Sequence, residues 1–120
     1  MEKAGKRLGI VGPDAAGKST LITNLKKRLI SAHHIAQEHS FVPEMWEVVS
    51  HPDILIYLDV SFDVSSNRRK QNWTYNDYSE QVTRLRHARE HAQLYINTDH
   101  ITPEEVLEQV LTYLVQTEHY

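Results

Sequence analysis

The chain has 120 residues, of which 40% are hydrophobic and 24% charged, and it carries a formal net charge of −3. That length suits one domain around a single modest core, and the slight acidity argues against a dedicated duplex-DNA binder. Cysteine is absent, which excludes a disulfide scaffold, a Cys-zinc site and thiol catalysis. No apolar run approaches the roughly 18 residues of a membrane span, and the residues after Met1 are too short in apolar character for a secretory leader. A cytoplasmic protein with no membrane partner is expected.

Strand and helix signals alternate. Arg7–Gly12 is a short apolar run ending in turn residues, the pattern of a buried strand. Lys18 to Ile30 reads as a helix with Leu21, Ile22, Leu25 and Leu29 along one face. His33 to His39 reads as a weak edge strand, Phe41-Val42-Pro43 as a turn, and Glu44 to Val49 as a short helix. Ile54–Val60 is the clearest strand; its near-continuous apolar run implies burial on both faces and hence a parallel sheet. A helix from Asp63 to Lys70 follows, broken at 71–76. It resumes from Asp77 to Ala92 with Tyr78, Val82, Leu85, the Arg89 stem and Ala92 on one stripe. Leu94–Asn97 is the last strand. Thr102-Pro103-Glu104-Glu105 opens the last helix with a capping box and a proline at its first position. The expected fold is a single three-layer α/β/α domain over residues 1–120, with a mainly parallel sheet of three to four strands.

One motif carries chemistry. Gly12-Pro13-Asp14-Ala15-Ala16-Gly17-Lys18-Ser19-Thr20 fits G-x-x-x-x-G-K-[ST], the phosphate-binding P-loop or Walker A sequence, between a strand and a helix as that motif requires. Gly12 lets the chain leave the strand, and Gly17 lets backbone approach phosphate oxygens. The amides from Ala15 and Ala16 through Thr20 face an anion at a helix N-terminus. Lys18 reaches the terminal phosphates, and the Ser19 hydroxyl ligates Mg²⁺.

With the P-loop, the sequence resembles the P-loop kinases, in particular the thymidylate-kinase-like proteins. Pro52–Val60 followed by Val64 and Arg68-Arg69 looks like their fourth strand and the start of their lid. Tyr95–Asp99 followed by Thr102–Val106 is similar to their last strand and last helix, between which a loop contacts the nucleotide base. The resemblance implies an ATP- and Mg²⁺-dependent phosphotransferase with a lid-like segment around 67–90. Those kinases carry a further strand with a Walker B acid and an acceptor-binding helical region. Here only about twenty residues separate the first helix from the strand at 54–60.

Glu38 and Asp59 are therefore the candidates for the acid that joins Ser19 at the metal, and Asp14 is a candidate base. Arg68 and Arg69, with Lys70, Arg84, Arg86 and Arg89, are candidates to bind the transferring phosphate, because a guanidinium stays charged and matches phosphate geometry. Trp73, Tyr75 and Tyr78 read as lid and core packing, or as a base-stacking platform. His87 and His91, four apart, could clasp a metal, although Arg89 between them disfavours a cation. No guanine-reading Asn/Thr-Lys-x-Asp sequence follows the loop, so ATP is favoured over GTP. The expected partners are a nucleoside triphosphate and a small-molecule or nucleotide acceptor, with nucleic acid disfavoured and a homodimer left open. A nucleotide-dependent switch or weak ATPase acting through a protein partner is the alternative reading.

Overall fold

The computed structural model describes residues 5–69 and 72–117. Lys70 and Gln71, inside the lid-like segment, lie outside the described residues, as do residues 1–4 and 118–120. The order is β1 (Leu8–Val11), α1 (Lys18–Lys27), β2 (Ala32–His34), a 3-10 turn (Gln37–His39) and a π-helical turn (Trp46–Ser50). There follow β3 (Ile54–Asp59), α2 (Phe62–Arg69), α3 (Tyr75–Arg84), α4 (Arg86–His91), β4 (Leu94–Asn97) and α5 (Pro103–Gln116). Among the described residues the sheet has four strands in the order β2-β1-β3-β4, and every pairing is parallel. No helix is long and apolar enough to cross a membrane, among the described residues.

Alternation along the strands divides the core between two faces. Ile54, Ile56 and Leu58 pack with Leu8, Ile10, Leu21, Leu25, Val110 and Leu114 under α1 and α5. Leu55 and Tyr57 pack with Val11, Ile35, Trp46, Leu85 and Ala88 on the other face. Burying each such side chain stabilises by about 1.5–3 kcal/mol. The three-layer expectation holds, because a parallel sheet must be covered on both faces.

Several boundaries differ from the sequence expectation. Helix α1 stops at Lys27, and Leu29, expected on its apolar face, is 95% exposed at φ 63°. Arg28 and Ile30 amides both donate to the Leu25 carbonyl, a left-handed helix stop that turns Leu29 out and Ile30 in. The expected strand at 33–39 is only Ala32–His34, and its second half is the 3-10 turn that carries Glu38. The helix expected from Asp77 begins at Tyr75, where Thr74 and Asp77 form a reciprocal capping box, and it divides at Leu85. Its buried positions are Gln81, Leu85 and Ala88 rather than the stripe through Val82 and Arg89. The Thr102–Glu105 capping box with Pro103 is present as read.

Gly12 is where strand and loop are most tightly constrained. Its φ is +153°, and a Cβ there would lie 2.0 Å from the Leu58 carbonyl oxygen on the neighbouring strand. Backbone cannot yield as a flexible side chain would. Gly12→Ala should therefore lower stability by about 3 kcal/mol or more, read as a fall in the urea midpoint with an unchanged slope.

Candidate functional site

The loop from Gly12 to Thr20 leaves β1 and enters α1. Ala15 (φ 68°) and Gly17 (φ 97°) adopt left-handed conformations that turn successive peptides, and the Ala16 amide donates to the Pro13 carbonyl at 3.3 Å. A Cβ on Gly17 would meet nothing within 4 Å, so this glycine borders open space. The Lys18 side chain folds back over the loop. Its ammonium donates to the Gly12 carbonyl, to the Pro13 carbonyl at 3.2 Å and to Glu38 Oε2 at 3.0 Å. Both side chains of this ion pair are buried, and Glu38 Oε1 is a buried oxygen with no hydrogen-bond partner among the described residues.

Further side chains close around this pair. His34 Nε2 lies 3.2 Å from Glu38 Oε2, and His39 Nε2 lies 3.8 Å from it and 4.0 Å from Asp14 Oδ1. Asp14 Oδ2 accepts from Arg69 Nη1 at 2.6 Å, while the Asp14 amide donates to Gln81 Oε1 at 2.9 Å. Arg68 spans two loops: it donates to the Ala15 carbonyl at 2.8 Å and to the Thr98 carbonyl at 2.7 Å. Thr98 is buried at the end of β4, and its hydroxyl lies 3.1 Å from the Ala16 and Asp59 carbonyls.

Two hollows result. One, of about 350 Å³, is lined by Asp14, Lys18, Ser19, His34, Glu38 and His39. The other, of about 250 Å³, is lined by Leu21, Arg68, Thr98, Ile101, Pro103 and Val106. Ala15, Gly17 and Thr20 border both, so the two open onto the same stretch of loop.

The structure thus brings Gly12, Asp14, Ala15, Ala16, Gly17, Lys18, Ser19, Thr20, Glu38, Arg68 and Arg69 into one region. It does not bring Asp59 there. That carboxylate accepts from the Tyr95 hydroxyl at 2.5 Å and from the Val60 amide, with Arg89 at 3.9 Å. Burial first, and then the Asp59 carboxylate, raises the Tyr78 and Tyr95 phenols above their ordinary pKa. Asp59 is one strand away from Ser19's hollow and already engaged. His87 and His91 also have other partners: the His87 ring takes a hydrogen bond from Trp46 Nε1 at 3.0 Å and stacks on His91 at 4.2 Å. Trp73 is buried with its indole donating to Ser65, and Tyr78 donates to the Val60 carbonyl, so both serve packing; Tyr75 is exposed.

The sequence reading missed Thr98, Gln81, His34 and His39. Thr98 had a signal, a short polar residue directly after a strand in the position of a loop contact. Gln81 had none, since its burial depends on how α3 docks.

The donor set around Ser19 fits a hard divalent cation. The Ser19 hydroxyl and the Glu38 carboxylate share one hollow, and Glu38 Oε1 is an orphaned acceptor beside it. The Lys18–Glu38 pair also bears on stability, because removing one partner of a buried pair strands the other charge. Glu38→Leu should cost about 3 kcal/mol, and the double variant Lys18→Met/Glu38→Leu should recover most of that loss. Urea denaturation of the four proteins of the cycle checks this.

No protein-family model matches the chain, and no curated protein matches it in sequence. Among solved structures, the 1.7 Å crystal structure of shikimate kinase from Bacteroides thetaiotaomicron is similar, with a TM-score of 0.66. The similarity covers 94% of this chain and 99% of that one at 14% sequence identity. It supports the P-loop kinase fold and does not single out the thymidylate-kinase branch. The fold of this chain is a compact α/β P-loop fold of the shikimate-kinase kind.

Proposed function

We propose that the protein binds ATP with Mg²⁺ and transfers the terminal phosphoryl group to a small-molecule or nucleotide acceptor. The observation that carries this reading is the pair of hollows meeting at Ala15, Gly17 and Thr20. One is polar and built around a lysine, suited to polyphosphate. The other has apolar walls from Ile101, Pro103 and Val106, suited to a base. The similarity to a kinase of known structure supports the same reading.

In this reading the loop amides and Lys18 hold the phosphates, and Lys18 exchanges Glu38 and two carbonyls for phosphate oxygens. Ser19 and Glu38 would hold Mg²⁺, whose charge offsets that of the phosphate oxygens. Arg69 leaves Asp14 for the transferring group, and the freed Asp14 accepts the proton of the attacking acceptor hydroxyl. The acceptor oxygen bonds to the γ-phosphorus as the bond from that phosphorus to the bridging oxygen breaks, and ADP departs with the electron pair. The segment around 67–90 acts as the lid, with Arg68 at the rim of the base cavity. The apolar base cavity and the missing guanine-reading motif favour ATP.

A nucleotide-dependent switch or weak ATPase acting through a protein partner is the second reading. One observation favours it: between β2 and β3 stand only a 3-10 turn and a π-helical turn, with no helical region to enclose an acceptor.

Saturating ATP with Mg²⁺ should raise the melting temperature, by the equivalent of about 2.7 kcal/mol at a hundredfold excess over Kd. Lys18→Ala should abolish the rise. No rise in the unaltered protein would sink both readings. For the kinase, labelled phosphate should appear on a member of a metabolite and nucleotide panel that includes shikimate, and Arg69→Ala should lower kcat about a hundredfold or more while KM for ATP changes little. Nucleotide-dependent association without acceptor phosphorylation would favour the switch.

A further inference from the structure

Asp14, Glu38 and His39 offer three ligand atoms that all lie within 4.8 Å of one another. They come from three different settings: the phosphate loop, the buried middle of the 3-10 turn and the exposed end of that turn. Each carboxylate is divided. Asp14 gives Oδ2 to Arg69 at 2.6 Å and keeps Oδ1 toward His39. Glu38 gives Oε2 to Lys18 at 3.0 Å and keeps Oε1 buried and unpartnered. A buried carboxylate oxygen without a donor is costly unless something positive completes it.

We propose that Asp14, Glu38 and His39 form a binding site for a first-row transition-metal ion of the Zn²⁺ or Co²⁺ type, filled without nucleotide. Two bonds of about 2.1 Å reach at most about 4.2 Å across an ion; His39 Nε2 already lies 4.0 Å from Asp14 Oδ1 and 3.8 Å from Glu38 Oε2, so a small movement of the Asp14 carboxylate toward Glu38 closes the trio. The imidazole nitrogen sets the preference. Mg²⁺ demands near-octahedral oxygen ligands, whereas a mixed nitrogen and carboxylate set suits Zn²⁺, Co²⁺ and their neighbours. Arg69 holds Asp14 Oδ2 and so orients Oδ1 toward His39, as outer partners do in metal sites, whereas Lys18 and His39 both face Glu38 Oε2. The Arg69 and Lys18 charges also weaken the site and keep its affinity moderate. His34, 3.2 Å from Glu38 Oε2, is close enough to act as a further orienting partner. The site requires no ATP and stands or falls apart from the kinase reading.

The test is a titration of nucleotide-free protein with Co²⁺, followed by visible absorbance. A saturating band at one equivalent is expected, bleached by Zn²⁺ and untouched by about a hundredfold excess of Mg²⁺. His39→Ala and, independently, Asp14→Asn should each weaken Co²⁺ binding roughly tenfold to a hundredfold, whereas His91→Ala should leave it unchanged. His39 is exposed, so the metal-free melting temperature of His39→Ala should match the unaltered protein and tie the loss to the ligand. Absence of a saturating band overturns the proposal. So does a band that survives both His39→Ala and Asp14→Asn, or one that Mg²⁺ displaces.

Discussion

The ammonium of Lys18 is the point on which the site depends. It is buried, and a buried charge is tolerated only when paired and hydrogen-bonded. Its three acceptors belong to the loop after β1 and to the turn after β2, while its backbone begins α1. One charged group therefore ties together the segments that surround the hollow lined by Ser19 and Glu38. In the proposed reading this tie is exchanged, anionic phosphate oxygens replacing two carbonyls and a carboxylate.

The contacts that bring α2 to the loop are of a different kind. Arg69 to Asp14 is a partly exposed ion pair, its side chains 35% and 22% exposed, and solvent-screened pairs contribute about 0–1 kcal/mol. Arg68 adds an exposed hydrogen bond to the Ala15 carbonyl and a half-buried one to the Thr98 carbonyl. Thr98 beneath them is buried and bonded on both sides. Buried hydrogen bonds of Thr98 thus hold the floor of the hollow lined by Ile101, Pro103 and Val106, whereas the arginine contacts at its rim are partly exposed. In the proposed reading that division of strengths suits a lid.

Topology explains why so few residues suffice. With all strands parallel, the loops after β1, β2 and β4 emerge at one edge of the sheet, where α/β folds bind ligands. Strand β2 pairs directly with β1 in register Leu8 with Ala32, so no further strand stands between them. The 3-10 turn following β2 instead brings Glu38 to Lys18, in the hollow that Ser19 also lines.

Local chemistry in the sequence was enough for β1, β3 and β4, the helix start at Thr102 and the loop between β1 and α1. Each of these rests on near-neighbour constraints: side-chain alternation, a capping hydroxyl, or glycines where φ must be positive. The Thr74 cap was hidden because its reciprocal partner is an aspartate, and the exit of Leu29 was hidden because leucine rarely ends a helix in a left-handed turn. The choice between Glu38 and Asp59 could not be made from the chain alone. Both are acids close to the end of a strand, with equal claims by spacing. Packing separated them: parallel pairing of β3 with β4 puts the Tyr95 hydroxyl against Asp59, whereas the tight turn after β2 delivers Glu38 to Lys18. Residues distant in sequence compete for one carboxylate, and only the three-dimensional arrangement decides which of them reaches it.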